Sequence, residues 1–132
     1  MAQVEQAIHI FPDIEKALGF SAAIKANGTL YMSGMIAIDA GMKIVGVGDM
    51  YTQVKTIYAT LSHALAEQGL SLKNVLKETV FVTDLAAMET GRKARQEAYA
   101  AAQAYPPAST MVEVKALFTP EVMVEIEIIA QT

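Results

Sequence analysis

The chain has 132 residues, 53% of them hydrophobic and 18% charged, and it contains no cysteine and no tryptophan. The length suits a single domain over residues 1–132, and the apolar share exceeds the ~45–50% of an average soluble domain. Disulfides and thiolate chemistry are excluded, a net charge of −4 argues against nucleic acid as a partner, and no apolar run reaches the ~18–20 residues of a membrane span.

A first strand is expected over residues 5–11, stopped by Pro12. Residues 21–36 alternate imperfectly about Asn27–Gly28, a dipeptide that favours a type I′ turn, and predict a β-hairpin. Gly41, Gly46 and Gly48 mark a loop over 39–49, with a short strand at 43–45. Met50, Val54, Ile57, Leu61 and Leu65 then recur at three or four residues, the stripe of an amphipathic helix. Asp49 is placed to cap its start and Gly69 lies just past its end. Residues 75–83 are β-branched and read as a strand. Residues 86–104 are helical by propensity and are stopped by Pro106–Pro107. Strands at 109–116 and 122–130 close the chain. The order β-β-(β)-α-β-α-β-β predicts an α+β fold, a mixed sheet with two helices on one face.

Strand alternation sharpens this picture. Val122, Val124, Ile126, Ile128 and Ala130 form one apolar row that must meet the helices, leaving Met123, Glu125, Glu127 and Ile129 opposite. In the preceding strand the more apolar row is Thr110, Val112, Val114 and Ala116, which leaves Ser109, Met111, Glu113 and Lys115 on the helix-free face. A face mixing apolar side chains with Glu113, Glu125 and Glu127 reads as one packed against other subunits. The apolar excess of so small a chain points the same way, to an obligate oligomer.

The C-terminal stretch YPPASTMVEVKALFTPEVMVEIEIIA resembles the signature of the RidA (YjgF, L-PSP endoribonuclease-like) family, as do the SGMIAID segment and ETVFVTDL at residues 78–85. The resemblance implies a chorismate-mutase-like fold and a homotrimer with ligand clefts between neighbours. It also implies hydrolytic deamination of small reactive imines or enamines without metal or cofactor. In the family an Arg after the Pro-Ala pair grips the substrate carboxylate, a Glu on the last strand handles water or a proton, and a Tyr, a Ser-Gly backbone and an Asn complete the cleft. Carried over, the Glu is Glu125 and the Ser-Gly pair is Ser33–Gly34. Phe20 stands at the Tyr position, Met111 at that of a common Cys, and Arg92 at that of the Asn. The Arg position holds Ser109, so the resemblance is to a divergent subgroup without the carboxylate clamp.

Glu125 is therefore the candidate catalytic residue, against the alternative of an interchain partner for a lysine. Arg92, one of only two arginines, is the candidate for the cation that Ser109 no longer supplies; Glu89 three residues earlier offers it an ordinary surface partner instead. Ser33 and Gly34 are expected to hold an anionic group through their N–H and hydroxyl groups, Phe20 to form an apolar wall, and Ser109 and Met111 to face the ligand. Only two histidines are present, His9 and His63, without metal-ligand spacing, so no metal site is expected. The N-terminus lacks the basic head of a signal peptide, and cytoplasmic residence is the expectation. Two functions remain open: an imine or enamine deaminase, and a non-catalytic trimer that binds a small metabolite.

Overall fold

In the computed structural model, which describes residues 4–132, the chain runs through β1 (Gln6–Ile8), α1 (Pro12–Leu18), β2 (Ala23–Ala26), β3 (Thr29–Met32), α2 (Met50–Glu67), β4 (Val75–Val82), α3 (Met88–Ala101), β5 (Ala108–Glu113) and β6 (Val124–Gln131). The sheet order is β1-β2-β3-β6-β4-β5. Every pairing is antiparallel except β4–β5, which are parallel because α3 carries the chain back between them. This is the α+β mixed sheet that the pattern predicts.

Local chemistry explains the main elements. Asn27 and Gly28 take φ of 52° and 75°, the left-handed pair that a tight hairpin needs, and join β2 to β3. The Asp49 carboxylate accepts from the Thr52 N–H at 3.1 Å and starts α2. From there Val54, Ile57, Leu61 and Leu65 are fully buried against Val124, Ile126 and Ile128 of β6. Buried Gln53 fixes where β6 begins. Its amide donates to the Glu121 carbonyl at 2.8 Å, and its oxygen accepts from the Met123 N–H at 2.9 Å.

Three expectations are corrected. Pro12 does not end a long first strand; β1 stops at Ile8, and Pro12 opens the seven-residue helix α1, where its missing N–H costs nothing. Residues 43–45 form no strand; only an isolated bridge joins Ile38 to Ile44. The two rows of β5 are also exchanged. Glu78 pairs with Ser109, Val80 with Met111 and Val82 with Glu113, and paired side chains share a face. Val80 and Val82 are buried beneath the helices, so Ser109, Met111 and Glu113 lie on the helix side. β5 is an edge strand with neither row fully covered, so its apolar count carried no direction. Among the described residues no helix is long and apolar enough to cross a membrane.

Candidate functional site

Between β3 and residues 33–35 the chain makes a bulge against β6. Tyr31 pairs with Ile129 and Met35 with Ile126, so residues 32–34 stand opposite 127–128, one residue extra. The bulge delivers Ser33 and Gly34 to Glu125. A Cβ on Gly34 would lie 2.5 Å from Glu125 Oε1, closer than any real contact, so only glycine lets the carboxylate rest against this backbone. The Ser33 donors are already used: its N–H donates to the Ala22 carbonyl and its hydroxyl to the Ser21 carbonyl at 2.6 Å. Gly34 N–H meets no acceptor among the described residues and is the free donor of the pair.

Glu125 opens on a cavity of about 330 Å³ that is also lined by Phe20, Ser33 and Gly34. Most of the remaining wall is apolar, with Ile14 and Leu18 from α1, Met35 and Ile38, and Phe118. No donor among the described residues reaches the Glu125 carboxylate. Burial pushes its pKa up, and the neighbouring Glu127 pushes it further, so its proton is held above the ordinary carboxylate range.

The helix α1 is fastened over this cavity by Glu15, a second buried carboxylate. Glu15 accepts from the N–H groups of Ile10, Phe11 and Ala22 at 2.9, 2.6 and 2.9 Å, and its Oε1 lies 2.9 Å from His9 Nδ1. Burial alone would raise its pKa; these bonds outweigh burial and hold it below the usual value.

A separate cavity of about 340 Å³ lies under β5, lined by Glu78, Arg95, Tyr99, Pro106, Pro107 and Ser109 among others. Glu78 is fully buried and carries four donors. Tyr58 and Tyr99 donate their hydroxyls to Oε1 at 2.9 and 2.8 Å; Ser109 Oγ and Arg95 Nη1 donate to Oε2 at 3.0 and 3.2 Å. Burial and the Glu78 charge push both tyrosine pKa values well above the ordinary phenol range. Arg95 Nη1 also reaches Ser109 Oγ at 3.3 Å.

The candidates from sequence therefore divide. Phe20, Ser33, Gly34 and Glu125 share one cavity, while Ser109 belongs to the other. Met111 packs on the core beside Val80, and Arg92 is exposed with no ion pair among the described residues. The cation beside Ser109 is Arg95. Glu78, Arg95 and Glu15 were not foreseen, yet signals existed. Glu78 interrupts the apolar row Val80 and Val82, which calls for a buried partner, and Arg95 and Tyr99 lie one helical turn apart on one face.

Among the described residues no three potential metal-ligating side chains cluster. A family model described as endoribonuclease L-PSP matches residues 12–132. A RutC family protein of Synechocystis is 36% identical over 112 residues, 84% of each chain. The 3-aminoacrylate deaminase RutC of Acinetobacter baylyi is 36% identical over 64 residues, 48% of this chain and 51% of its own. In structure, a protein of unknown function from Pseudomonas aeruginosa superposes with a TM-score of 0.80 at 31% identity, covering 99% of this chain and 94% of that one.

Proposed function

The chain belongs to the endoribonuclease L-PSP family, also called YjgF/RidA, and on that premise we propose that it is a cofactor-independent hydrolytic deaminase of a small reactive imine or enamine. The observation that carries this reading is Glu125. It is a half-buried carboxylate without a donor among the described residues, with its pKa raised by burial and by Glu127, at the wall of a ligand-sized cavity. Such a group holds its proton to a higher pH than an ordinary carboxylate does, which suits it to proton transfer.

In the proposed reaction Glu125 holds a water against the imine carbon and takes its proton as the C–O bond forms. It returns that proton to nitrogen to give the carbinolamine, then takes the carbinolamine hydroxyl proton and passes it to nitrogen as the C–N bond breaks, leaving a carbonyl compound and ammonia. In this reading the Gly34 N–H, which has no acceptor among the described residues, donates to the developing oxygen. The likeness to a 3-aminoacrylate deaminase supports this chemistry, since an enamine tautomerises to the imine that water attacks. We also propose a homotrimer that packs the helix-free sheet face, where Tyr31 and Val112 are exposed beside Glu125 and Glu127.

The test is ammonia release from freshly generated 2-iminobutanoate or 2-aminoacrylate, comparing wild type with Glu125→Ala. The expected result is a wild-type rate above buffer and a variant at background; equal rates at background overturn the reading. The second reading, a non-catalytic metabolite binder, is favoured by one observation: among the described residues no Lys, Arg or His lines the Glu125 cavity to hold a substrate carboxylate. Ligand-induced thermal stabilisation without turnover is its signature.

A further inference from the structure

We propose that Gln53 of α2 is a positioning residue for Glu125: its one side-chain amide ties two loops that wall the cavity to the start of the strand that carries the carboxylate. The proposal rests on the deaminase reading only for its effect on turnover. Its geometry is made inside one chain by a side chain with no exposed surface, so a neighbouring subunit packed on the sheet leaves it as it is.

Every polar atom of the Gln53 amide is used. Nε2 donates to the Glu121 carbonyl at 2.8 Å and to the Gly46 carbonyl at 3.3 Å, while Oε1 accepts from the Met123 N–H at 2.9 Å. A Cβ on Gly46 would meet Thr52 Cγ2 at 2.9 Å and Gln53 Cγ at 3.3 Å, so that loop lies directly on this turn of α2. Gly46 ends the loop that follows Ile38 and Met42, and Glu121 follows Phe118; all three apolar residues line the cavity. Met123 stands two residues before Glu125 on the same row of β6, and its carbonyl accepts from the Thr83 N–H at 3.1 Å. Because side chains alternate along a strand, a slip of one residue at this start would turn Glu125 towards the helices. The site demands two donors and one acceptor, which only an amide supplies. Methionine supplies no donor. A protonated glutamic acid keeps the acceptor and one donor, and an ionised one sets a carboxylate against two carbonyl oxygens. Asp49 and Glu121, acidic side chains on the segments joined here, add to the cost of that second charge.

The Gly34 amide, against which the Glu125 carboxylate rests, reports the placement of Glu125 without any substrate. Its nitrogen-15 NMR signal is followed against pH in the full chain for wild type, Gln53→Met, Gln53→Glu and Leu65→Ala. Leu65 is fully buried about three turns further along α2, and its truncation destabilises the same helix by a core cavity. In wild type the Gly34 signal should move as Glu125 ionises. Gln53→Met should lose that movement, and Leu65→Ala should keep it. Gln53→Glu should match wild type in acid and depart from it as residue 53 ionises, a rescue by protonation that a merely structural loss does not show. In parallel, kcat for ammonia release should fall about tenfold in Gln53→Met, more than KM rises. Background release from wild type overturns the deaminase reading alone. A wild-type Gly34 titration in Gln53→Met, or an equal loss in Leu65→Ala, overturns the present inference whatever turnover does. Should Gln53→Met fail to fold, Gln53→Glu decides: a Gly34 signal that follows wild type at every pH overturns the inference.

Discussion

Glu78 is fully buried and Glu125 half-buried, on opposite faces of neighbouring strands, and they are treated in opposite ways. Glu78 is given four donors and a counter-ion, so its charge is answered inside the fold. Glu125 is given none among the described residues, and a glycine backbone is pressed against it instead. A saturated carboxylate stiffens a structure, because every partner is committed and moving one strands the others. An unsaturated one carries an unpaid electrostatic cost that a ligand, a water or a proton relieves. The chemistry is therefore expected where the donors are missing, and the cavity under β5 is expected to be a brace.

The sharpest way to break that contrast is to remove Glu78. Glu78→Ala leaves the Arg95 charge and two buried tyrosine hydroxyls without their acceptor, and should cost about 3–5 kcal/mol. A urea denaturation curve shifted by that amount, without a change of slope, is the expected result. If stability holds and ammonia release falls, the functional roles of the two cavities are exchanged.

Glu125→Gln should act the other way, lowering turnover by at least about 10²-fold, the usual worth of a general acid–base group. It should also raise Tm at pH 7 by about 1–3 °C. The sign follows from the raised pKa: ionising Glu125 is less favourable in the folded chain than in the unfolded one. Its penalty is absent below the ordinary carboxylate value and grows as pH climbs through that value towards the folded one. The gain in Tm should accordingly vanish in acid. A variant that loses activity and stability together would mark Glu125 as structural.

Gly34→Ala tests the contact between bulge and carboxylate. The new methyl would meet Glu125 Oε1 at 2.5 Å, so the strand or the side chain must give way. A loss of about 1–3 kcal/mol is the expected cost of such overpacking, with turnover reduced about tenfold by the misplaced carboxylate. Glu15 supplies the pH counterpart. Its lowered pKa means that its stabilisation is complete above the ordinary carboxylate value and is lost as pH falls from there through the folded value. Amide exchange at Ile10, Phe11 and Ala22 should accelerate in that acid window before exchange in α2 does.

How much of this was legible in the sequence depended on how local each cause was. The stripe of α2, its Asp49 cap and the Asn27–Gly28 turn are short-range facts, and the structure follows them. The inward row of β6 was readable because that strand lies inside the sheet between β3 and β4 and one of its rows is wholly apolar. β5 had no such row, and its direction is set by Glu78 on the neighbouring strand and Arg95 on α3, a relation no single-strand pattern contains. α1 was missed because seven residues carry too little periodicity and because proline ends a strand as readily as it begins a helix. Glu125 and Gly34 were found as candidates through family resemblance; the bulge that brings them together is a register shift, invisible until both strands are paired.

The smallest expected effect separates the two arginines. Arg92 is exposed, touches neither cavity and pairs with nothing among the described residues. Arg92→Ala should leave Tm within about 1–2 °C and ammonia release unchanged. Arg95→Ala, in contrast, strands Glu78 and should destabilise strongly, so the pair calibrates which arginine the fold uses. A large loss of turnover in Arg92→Ala would carry a specific meaning. Because Arg92 does not line the cavity of its own chain, its guanidinium would have to reach the cavity of a neighbouring protomer. That cavity would then own a cation able to hold a substrate carboxylate. The same variant therefore tests both the oligomer and the placement of Arg92.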